Sequence, residues 1–405
     1  MSDAKVKQLQ DLEEKRQQET LSLIPSENWP SWEVREALSS GFVAKYAEGY
    51  PGKRYYNGNR YVDELEALAI KRAVKLFGGA HANVQAYSGS IANLAVYNAL
   101  MQPGDTALAM SLSHGGHLTH GHDVSFTGKI YNFEHYGVEK DGYLDYQKIA
   151  KLAEKHKPRV IVAGATAYPR AIDFDQFGEI ARTVGAYLVA DISHIAGLVV
   201  GGVHPHPFPA ADVITTTTQK SLRGPRGALI ISREKEIGDL IDKSVFPGLQ
   251  GGPHEHTIAG IAVALLEASQ KDFAQYAEQV VKNAQTLAEG LTKRGFELVS
   301  GGTDNHLMLI DLTNKGVTGR EAADLLEEIG IVANRNTIPY ETRTPFDPSG
   351  LRLGTPFVTT RGMKEKEMGE LAEIIAEAIE QKKDTDKIAG LADRVGELTK
   401  KFKLK

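Results

Sequence analysis

Lys220 is the residue whose surroundings most favour covalent chemistry. It follows four threonines (Thr215–Thr218) and Gln219, and it precedes a turn rich in glycine and proline, in the segment TTTTQKSLRGPRGALIIS. Most lysines are solvated surface charges, and that is the alternative reading here. At the end of a predicted strand with few other charges, the ammonium would be partly desolvated and its pKa lowered, as a lysine that forms Schiff bases requires.

Asp191 ends another predicted strand, in AYLVADISHIAG, 29 residues before Lys220. An aspartate at a strand end is commonly an N-cap or a metal ligand. If the two strands are neighbours, Asp191 has a further role, because a carboxylate can hold the pyridine nitrogen of a cofactor protonated and so make the ring an electron acceptor. Asp191 and Lys220 therefore support each other as parts of one site.

Ser88, Gly89 and Ser90 open a predicted helix in YSGSIANLAV. Backbone N–H groups and hydroxyls at a helix start can bind an anion such as a phosphate. A plain serine N-cap is the simpler alternative, and the motif alone favours it.

Four histidines, His114, His117, His120 and His122, lie in SHGGHLTHGHD. Their spacing allows a metal site, since imidazole is a common ligand. The glycines would interrupt any helix that aligned them and Asp123 is the nearby carboxylate, so we predict no metal. An alternative role, stacking on an aromatic cofactor ring, would require only a single histidine of the four.

Two further segments carry candidate binding residues. A tyrosine-rich stretch, KYAEGYPGKRYYNG, includes Tyr46, Glu48 and Tyr56, although such clusters more often serve packing. Arg352, in DPSGLRLGT, could bind a carboxylate through two parallel hydrogen bonds.

Short apolar runs alternate with helical patterns up to about residue 250, which predicts a mainly parallel sheet wrapped by helices. Ligands of such sheets bind at the carboxyl ends of the strands. We expect an N-terminal helix and arm over 1–28, a large α/β domain over 29–275 and a smaller α+β domain over 276–405.

Composition excludes several classes of protein. The 405 residues include no cysteine, which excludes disulfides, a thiolate nucleophile and cysteine-type zinc sites. A net charge of −5 without a long basic run gives no sign of nucleic-acid binding. The N-terminal twenty residues are charged and contain no apolar segment, and no run of 18 apolar residues occurs, so we expect a cytoplasmic protein that does not contact a membrane.

Blocks of sequence in a fixed order span nearly the whole chain: IPSEN, KYAEGYPGKRYY, YSGSIAN, SHGGHLTHG, ATAYPR, ADISHIAG, TTTTQKSLRGPRG, FPGLQGGP, SGGTDNH and SGLRLGTPFVTTRG. Together they resemble the serine hydroxymethyltransferase family of pyridoxal-phosphate enzymes, which have fold type I. The resemblance implies a reversible transfer of the serine hydroxymethyl group to tetrahydrofolate, giving glycine and 5,10-methylenetetrahydrofolate through an aldimine and a quinonoid, as part of one-carbon metabolism.

The resemblance also implies roles for individual residues. Lys220 would form the internal aldimine, Asp191 would pair with the pyridinium nitrogen and His117 would stack on the ring. The remaining cofactor contacts would be Ser88, Gly89, Ser90, Thr166 and His194, and Thr217 would be a catalytic residue near the lysine. Arg352, assisted by Ser26, would bind the substrate carboxylate, with His194, Glu48 and Tyr56 also at the substrate.

Other residues would act across a subunit boundary or bind folate, according to the resemblance. Those that would reach the neighbouring subunit's cofactor are Tyr46, Glu48, Tyr56, Gly251 and Gly252. The family therefore implies a homodimer with shared active sites, which can pair into a tetramer. The folate residues would be Glu48, Leu112, Gly116, Leu118 and Asn336.

Gln219 departs from the family pattern, in which histidine usually precedes the lysine. Glutamine keeps hydrogen bonding but carries no proton charge near pH 7. This leaves open a folate-independent aldolase acting on threonine-like β-hydroxy amino acids. A third alternative is a binding protein that has kept the fold without catalysis, although both Lys220 and Asp191 are present.

Overall fold

Helices and strands alternate through most of the chain in the computed structural model, which describes residues 3–404. The helices are α1 (Ala4–Glu19), α2 (Trp32–Leu38), α3 (Arg60–Phe77), α4 (Gly89–Leu100), α5 (Phe126–Ile130), α6 (Tyr146–His156), α7 (Phe174–Val184), α8 (Ala196–Val200), α9 (Lys235–Lys243), α10 (Glu255–Ala268), α11 (Lys271–Thr292), α12 (Gly319–Glu328), α13 (Pro356–Thr360), α14 (Glu365–Glu380) and α15 (Thr385–Lys401).

Each of the strands is two to five residues long. They are β1 (Leu21–Ser22), β2 (Gly49–Tyr50), β3 (Lys53–Arg54), β4 (His81–Asn83), β5 (Thr106–Met110), β6 (Asn132–Tyr136), β7 (Val160–Gly164), β8 (Tyr187–Asp191), β9 (Val213–Thr217), β10 (Ala228–Ser232), β11 (Glu297–Leu298), β12 (Leu307–Asp311), β13 (Ile331–Val332), β14 (Asn334–Asn336) and β15 (Gly350–Gly354).

Contacts divide the chain into two units. One contains the chain up to Trp29 together with the residues from Gln279 onward, and the other runs from Pro30 to Glu278. The domain boundaries predicted from the sequence stay a prediction.

The unit from Pro30 to Glu278 is built on a seven-stranded sheet with the order β4-β10-β9-β8-β7-β5-β6. Strands β9, β8, β7, β5 and β6 are parallel, whereas β10 is antiparallel to both of its neighbours. Every residue of β7, β9 and β10 is buried, as expected for strands covered on both faces. This confirms the predicted fold class, a mainly parallel sheet wrapped by helices.

The helices around this sheet begin and end at residues with clear local causes. Asp173 caps α7 by accepting from the backbone N–H of Gln176, and Gly185 ends the helix in the left-handed conformation at φ 71°. Helix α4 buries Ala92 and Val96 in the same apolar core as Val162 of the sheet. Strand ends and the start of α4 are thereby held by one packed core.

The other unit contains an antiparallel sheet with the order β11-β12-β15-β14 and a separate parallel pair of β1 with β13. The segment IVANRN forms two strands, β13 and β14. Its first half pairs with β1 and its second half with β15, so the ladder breaks between them. Helix α12 begins with a capping box in which Thr318 and Glu321 each accept a backbone N–H of the other.

None of the helices within residues 3–404 combines the length and the apolar character needed to cross a bilayer.

Candidate active site

The predicted cofactor residues of the unit from Pro30 to Glu278 follow the carboxyl ends of its parallel strands. Strand β7 leads to Thr166, β8 ends at Asp191 and is followed by His194, and β9 ends at Thr217 just before Lys220. In the sheet, Asp191 lies opposite Gly164 on β7 and Thr215 on β9. The strand carrying Asp191 therefore neighbours the one that ends before Lys220, as the sequence prediction required.

Asp191 is buried, with 7% of its surface exposed, and its carboxylate accepts three hydrogen bonds. Oδ2 accepts from Asn93 Nδ2 at 2.8 Å and from His120 Nε2 at 3.2 Å, and Oδ1 accepts from the backbone N–H of Ser193 at 3.1 Å. Burial alone would raise the pKa of Asp191, but the hydrogen bonds and His120 outweigh it and hold the pKa well below its usual range. The group is an anion at any physiological pH.

Asn93 and His120 hold this carboxylate in place through partners of their own. Asn93 Oδ1 accepts from the Thr215 hydroxyl at 2.7 Å, and Asn93 Nδ2 also donates to Thr119 Oγ1 at 2.9 Å. His120 Nδ1 accepts from the backbone N–H of His117 at 3.2 Å, so the Nε2 proton of His120 is directed at Asp191. Helix α4, the histidine loop and β9 thus converge on one acid.

His117 has a neutral ring close to Lys220. Burial is the largest cause that lowers the pKa of His117 to about 4; His120 and the ammonium of Lys220 lower it further, and Asp191 opposes them. His117 Nδ1 accepts from the backbone N–H of Thr119 at 3.2 Å, which places the ring proton on Nε2. An uncharged, oriented imidazole suits stacking on an aromatic ring.

The loops that carry Lys220 and His194 are tied together. Ser221, next to Lys220, donates through its hydroxyl to the His194 carbonyl at 2.8 Å and accepts from the backbone N–H of Gly197 at 3.0 Å. Gln219, the residue that departs from the family pattern, buries its Oε1 with no hydrogen-bond donor among the described residues.

The start of helix α4 approaches the end of β9 closely. Ser88 is the N-cap and accepts from the backbone N–H of Ile91 at 3.4 Å. A Cβ on Gly89 would stand 2.6 Å from Thr217 Cγ2, so only glycine permits this approach. Thr217 is fixed in turn, since its backbone N–H donates to Ser193 Oγ at 3.2 Å. The first N–H groups of the helix are left without intrahelical acceptors, as in an anion site.

The loop after β5 carries three of the predicted folate residues. Leu112 begins a short 3-10 turn, and Leu118 is 44% exposed. Between them, a Cβ on Gly116 would collide with the carbonyl oxygen of Met110. The Gly115 carbonyl next to it accepts from the backbone N–H of Thr166 at 2.7 Å, which joins this loop to the end of β7.

The four histidines of this loop do not converge on one point, because His117 and His120 lie together while the other two have separate contacts. His114 Nδ1 accepts from the backbone N–H of Val138, and His122 Nδ1 accepts from that of Val124. Within residues 3–404, no group of three or more histidine, aspartate or glutamate side chains could hold a metal ion.

Tyr46, Glu48, Tyr56, Gly251 and Gly252 form one patch. Tyr56 donates its hydroxyl to Glu48 Oε2 at 2.9 Å, and the rings of Tyr46 and Tyr56 pack edge to face at 5.7 Å. A Cβ on Gly251 would lie 3.3 Å from Glu48 Oε1, and one on Gly252 would lie 3.3 Å from the Tyr46 ring. Tyr46 and Tyr56 are 60% and 48% exposed, so the patch is open at the surface of this chain.

Arg54 fixes the backbone on both sides of Glu48. Its Nη1 donates to the carbonyls of Ala47 and Gly49, both at 2.8 Å, and the backbone carbonyl of Glu48 accepts from Tyr55 N at 3.1 Å. The Arg54 side chain is only 4% exposed. The hairpin formed by β2 and β3 therefore presents Glu48 from a rigid base.

Arg352, Ser26 and Asn336 lie in the unit that contains both chain ends. Arg352, on β15, is 7% exposed, its Nε donates to Asn334 Oδ1 at 3.2 Å, and burial lowers its pKa to about 10. The residue before Ser26, Pro25, packs against Gly354 at the end of the same strand, where a Cβ would stand 2.6 Å from Pro25 Cα. The segment that contains Ser26 therefore lies against the carboxyl end of β15, the strand that carries Arg352.

Sequence reasoning did not identify the partners that hold the predicted residues. Asn93 and Arg54 were not singled out, although an asparagine between the apolar residues of IANLAVYNAL was a visible signal. His120 was considered as a metal ligand, whereas it donates to Asp191. The pairings needed the fold, because His120 and Asn93 are 71 and 98 residues away from Asp191 in sequence.

A mainly parallel sheet with a lysine after one strand and a buried, ionised aspartate at the end of its neighbour defines an α/β enzyme of fold type I. The chain belongs to the serine hydroxymethyltransferase family, whose sequence model, described as serine hydroxymethyltransferase, matches residues 1–375. It is similar to a serine hydroxymethyltransferase from Acidothermus cellulolyticus, with 54% identity over 408 residues that cover 99% of this chain and 95% of that protein. The predicted family and class of enzyme are confirmed.

Proposed function

We propose that the chain transfers the hydroxymethyl group of serine to tetrahydrofolate, reversibly, with pyridoxal phosphate as its cofactor. The observation that carries this proposal is the state of Asp191. An ionised carboxylate offers about four acceptor sites. Three accept from Asn93, His120 and Ser193, and one remains on Oδ1. A buried anion with one free acceptor site fits a protonated pyridine nitrogen, which it would keep protonated.

The other end of the cofactor fits the start of helix α4. Ser88, Gly89 and Ser90 would hold the phosphate with their N–H groups and hydroxyls, because the helix start favours an anion and Gly89 leaves it uncovered. Between the two ends, His117 would lie against the ring, Thr166 and His194 would complete the contacts, and Thr217 would lie near Lys220.

Lys220 supplies the amine that binds the cofactor covalently. When bound, pyridoxal phosphate supplies an electron sink for the bond that breaks at the amino acid's α-carbon. Arg352, whose guanidinium is buried yet charged at neutral pH, binds and orients the carboxylate of serine or glycine, with Ser26 beside it.

Glu48 and Tyr56 hold a proton where the hydroxymethyl group reacts. The Tyr56 hydroxyl donates to Glu48 Oε2 at 2.9 Å, and this bond is the largest cause that raises the pKa of Tyr56. Tyr56 therefore keeps its proton and donates a hydrogen bond, and Glu48 is the group that exchanges a proton with the reacting hydroxymethyl group.

The exposed patch of Tyr46, Glu48, Tyr56, Gly251 and Gly252 serves the active site of a second copy of the chain in this proposal. The assembly is then a homodimer with shared sites, which can pair into a tetramer. The pterin ring of tetrahydrofolate contacts Leu112, Gly116, Leu118, Asn336 and Glu48. The cytoplasmic location stays a prediction.

Serine cleavage measured with and without tetrahydrofolate tests the reaction. We expect strong stimulation by tetrahydrofolate with serine, and little cleavage of allo-threonine relative to serine. Equal serine cleavage in both conditions would contradict the proposal and favour the folate-independent aldolase that Gln219 left open.

Borohydride treatment in the presence of pyridoxal phosphate tests the lysine. We expect the cofactor to be fixed to the wild-type chain and not to Lys220→Ala. Lys243→Ala, a change of another lysine of the same unit, should behave as the wild type. Undiminished fixation in Lys220→Ala would refute the assignment.

A further inference from the structure

Glu255 is a buried carboxyl group that the proposed reaction does not use. It is the first residue of α10 and only 1% exposed. Neither of its side-chain oxygens has a hydrogen-bond donor within reach among residues 3–404. An ionised carboxylate without donors would lose its hydration and gain no hydrogen bond in return. The free-energy cost of this exceeds the cost of keeping the carboxyl group protonated.

The charged groups around Glu255 already include two carboxylates and do not favour its ionisation. Those acting on it are Glu66 and Asp63 from α3, Arg54 from β3 and Lys45 from the segment before β2. Burial is the largest cause that raises the pKa of Glu255 to about 8; Glu66 and Asp63 raise it further, while Arg54 and Lys45 lower it. The charged residues of α2, which also packs against α10, are Glu33, Arg35 and Glu36.

Arg54 is already committed to other groups. Its Nε donates to Asp63 Oδ1 at 2.8 Å, its Nη2 donates to Glu66 Oε2 at 2.6 Å, and its Nη1 holds the two carbonyls that flank Glu48. If Glu255 were ionised, it would compete for the same guanidinium. The carbonyl contacts of Nη1 are the weakest competitors, because they are neutral acceptors.

The cluster formed by Glu255, Glu66, Asp63, Arg54 and Gln85 also leaves no donor for Glu255 among residues 3–404. Gln85 Nε2 donates to Glu66 Oε1 at 2.7 Å and to the Gly49 carbonyl at 2.9 Å, while Gln85 Oε1 is buried without a donor. Burial raises the pKa of Glu66 as well, but Glu66 accepts from both Arg54 and Gln85, which lower it, whereas Glu255 has no such partner. A single proton in this cluster therefore belongs on Glu255.

We propose that Glu255 is a positioning residue that must stay protonated for Arg54 to hold the Glu48 hairpin in its reactive geometry. Ionisation of Glu255 draws Arg54 away from the carbonyls on either side of Glu48, and the proton-exchanging carboxyl of the reaction moves with them. The inference rests on the role proposed for Glu48.

The test compares the wild type with Glu255→Gln, which keeps the shape of the side chain and cannot ionise. We expect wild-type serine cleavage with tetrahydrofolate to fall several-fold between about pH 7 and about pH 9 through a fall in kcat rather than a rise in KM for serine. The ratio of kcat at the two pH values should be closer to one in Glu255→Gln. Glu234→Gln, a change of an exposed glutamate in the same unit, should keep the wild-type ratio.

Infrared spectroscopy of the cofactor-free protein supplies a readout that does not depend on activity. We expect the carbonyl band of a buried, protonated carboxylic acid near neutral pH in the wild type, and its loss in Glu255→Gln. If the band is absent or the two pH profiles coincide, the inference is overturned. If the chain does not cleave serine at all, the proposed function fails while the band still reports on the proton of Glu255.

Discussion

Asp191→Asn is the change that tests the centre of the site most directly. The amide has the same shape as the carboxylate but turns one of its two acceptor oxygens into a donor. In one orientation the NH₂ group faces both Asn93 Nδ2 and His120 Nε2, and in the other it faces only the backbone N–H of Ser193. The second orientation is favoured because it removes the acceptor of one existing donor, the Ser193 N–H, rather than of two.

A buried donor left without an acceptor costs roughly 1–3 kcal/mol. We therefore expect Asp191→Asn to lower the free energy of unfolding by about 1–3 kcal/mol, instead of the roughly 2–6 kcal/mol that two unpaired donors would cost. Because the folded pKa of Asp191 lies below its ordinary value, its stabilising contribution is present at neutral pH and is lost as the pH falls into the acid range. Asp191→Asn should therefore lose less stability than the wild type as the pH falls into the acid range.

The same change removes the acceptor proposed for the pyridine nitrogen. A charge-assisted hydrogen bond contributes roughly 1.5–3 kcal/mol, so the affinity for pyridoxal phosphate should fall about ten- to hundredfold. Urea unfolding of the cofactor-free protein and absorbance titration with pyridoxal phosphate measure the two effects. Asp239→Asn, at an exposed residue that pairs with Lys235, is the control and should change neither. Unchanged stability and affinity in Asp191→Asn would refute the reasoning.

Three further changes probe packing. Gly116→Ala places a Cβ against the Met110 carbonyl, so we expect urea unfolding to show a loss of about 1–3 kcal/mol together with weaker tetrahydrofolate stimulation. Gly396→Ala, in α15, meets open space and should instead stabilise the chain by about 0.5–1 kcal/mol in the same measurement. Phe177→Ala, at a fully buried ring of α7, should cost about 3–5 kcal/mol, and a midpoint within error of the wild type would contradict the packing described here.

The sequence was most informative where a local pattern carries the physical cause. Alternating apolar runs and helical periodicity predicted the parallel sheet, and the run of threonines before Lys220 predicted β9 with the lysine just beyond it. Asp191 was predicted for the same reason, since its strand reads as a continuous apolar run that ends in a carboxylate. Such signals depend on neighbours in sequence, which a single chain displays.

What could not be predicted depends on pairing between distant segments. The acceptor of the Asn93 amide, the proton of His120 and the grip of Arg54 on the carbonyls beside Glu48 follow from the order of strands and the packing of α3 and α10. Glu255 illustrates the limit most clearly, because in sequence it is an acidic residue in the first turn of a helix, which is ordinarily exposed and favourable. Only its burial shows that it needs a proton.

The short strand β1 has a consequence for the order in which the chain folds. Leu21 and Leu23 are fully buried in a core that also contains Leu351, Leu371 and Ile375, and β1 pairs with β13. During synthesis the N-terminal segment therefore emerges roughly 300 residues before its partners, at a rate of about 5–20 residues per second. The continuous segment from Pro30 to Glu278 can complete its own sheet in that interval, while Leu21 and Leu23 remain without the apolar side chains that bury them in the folded chain.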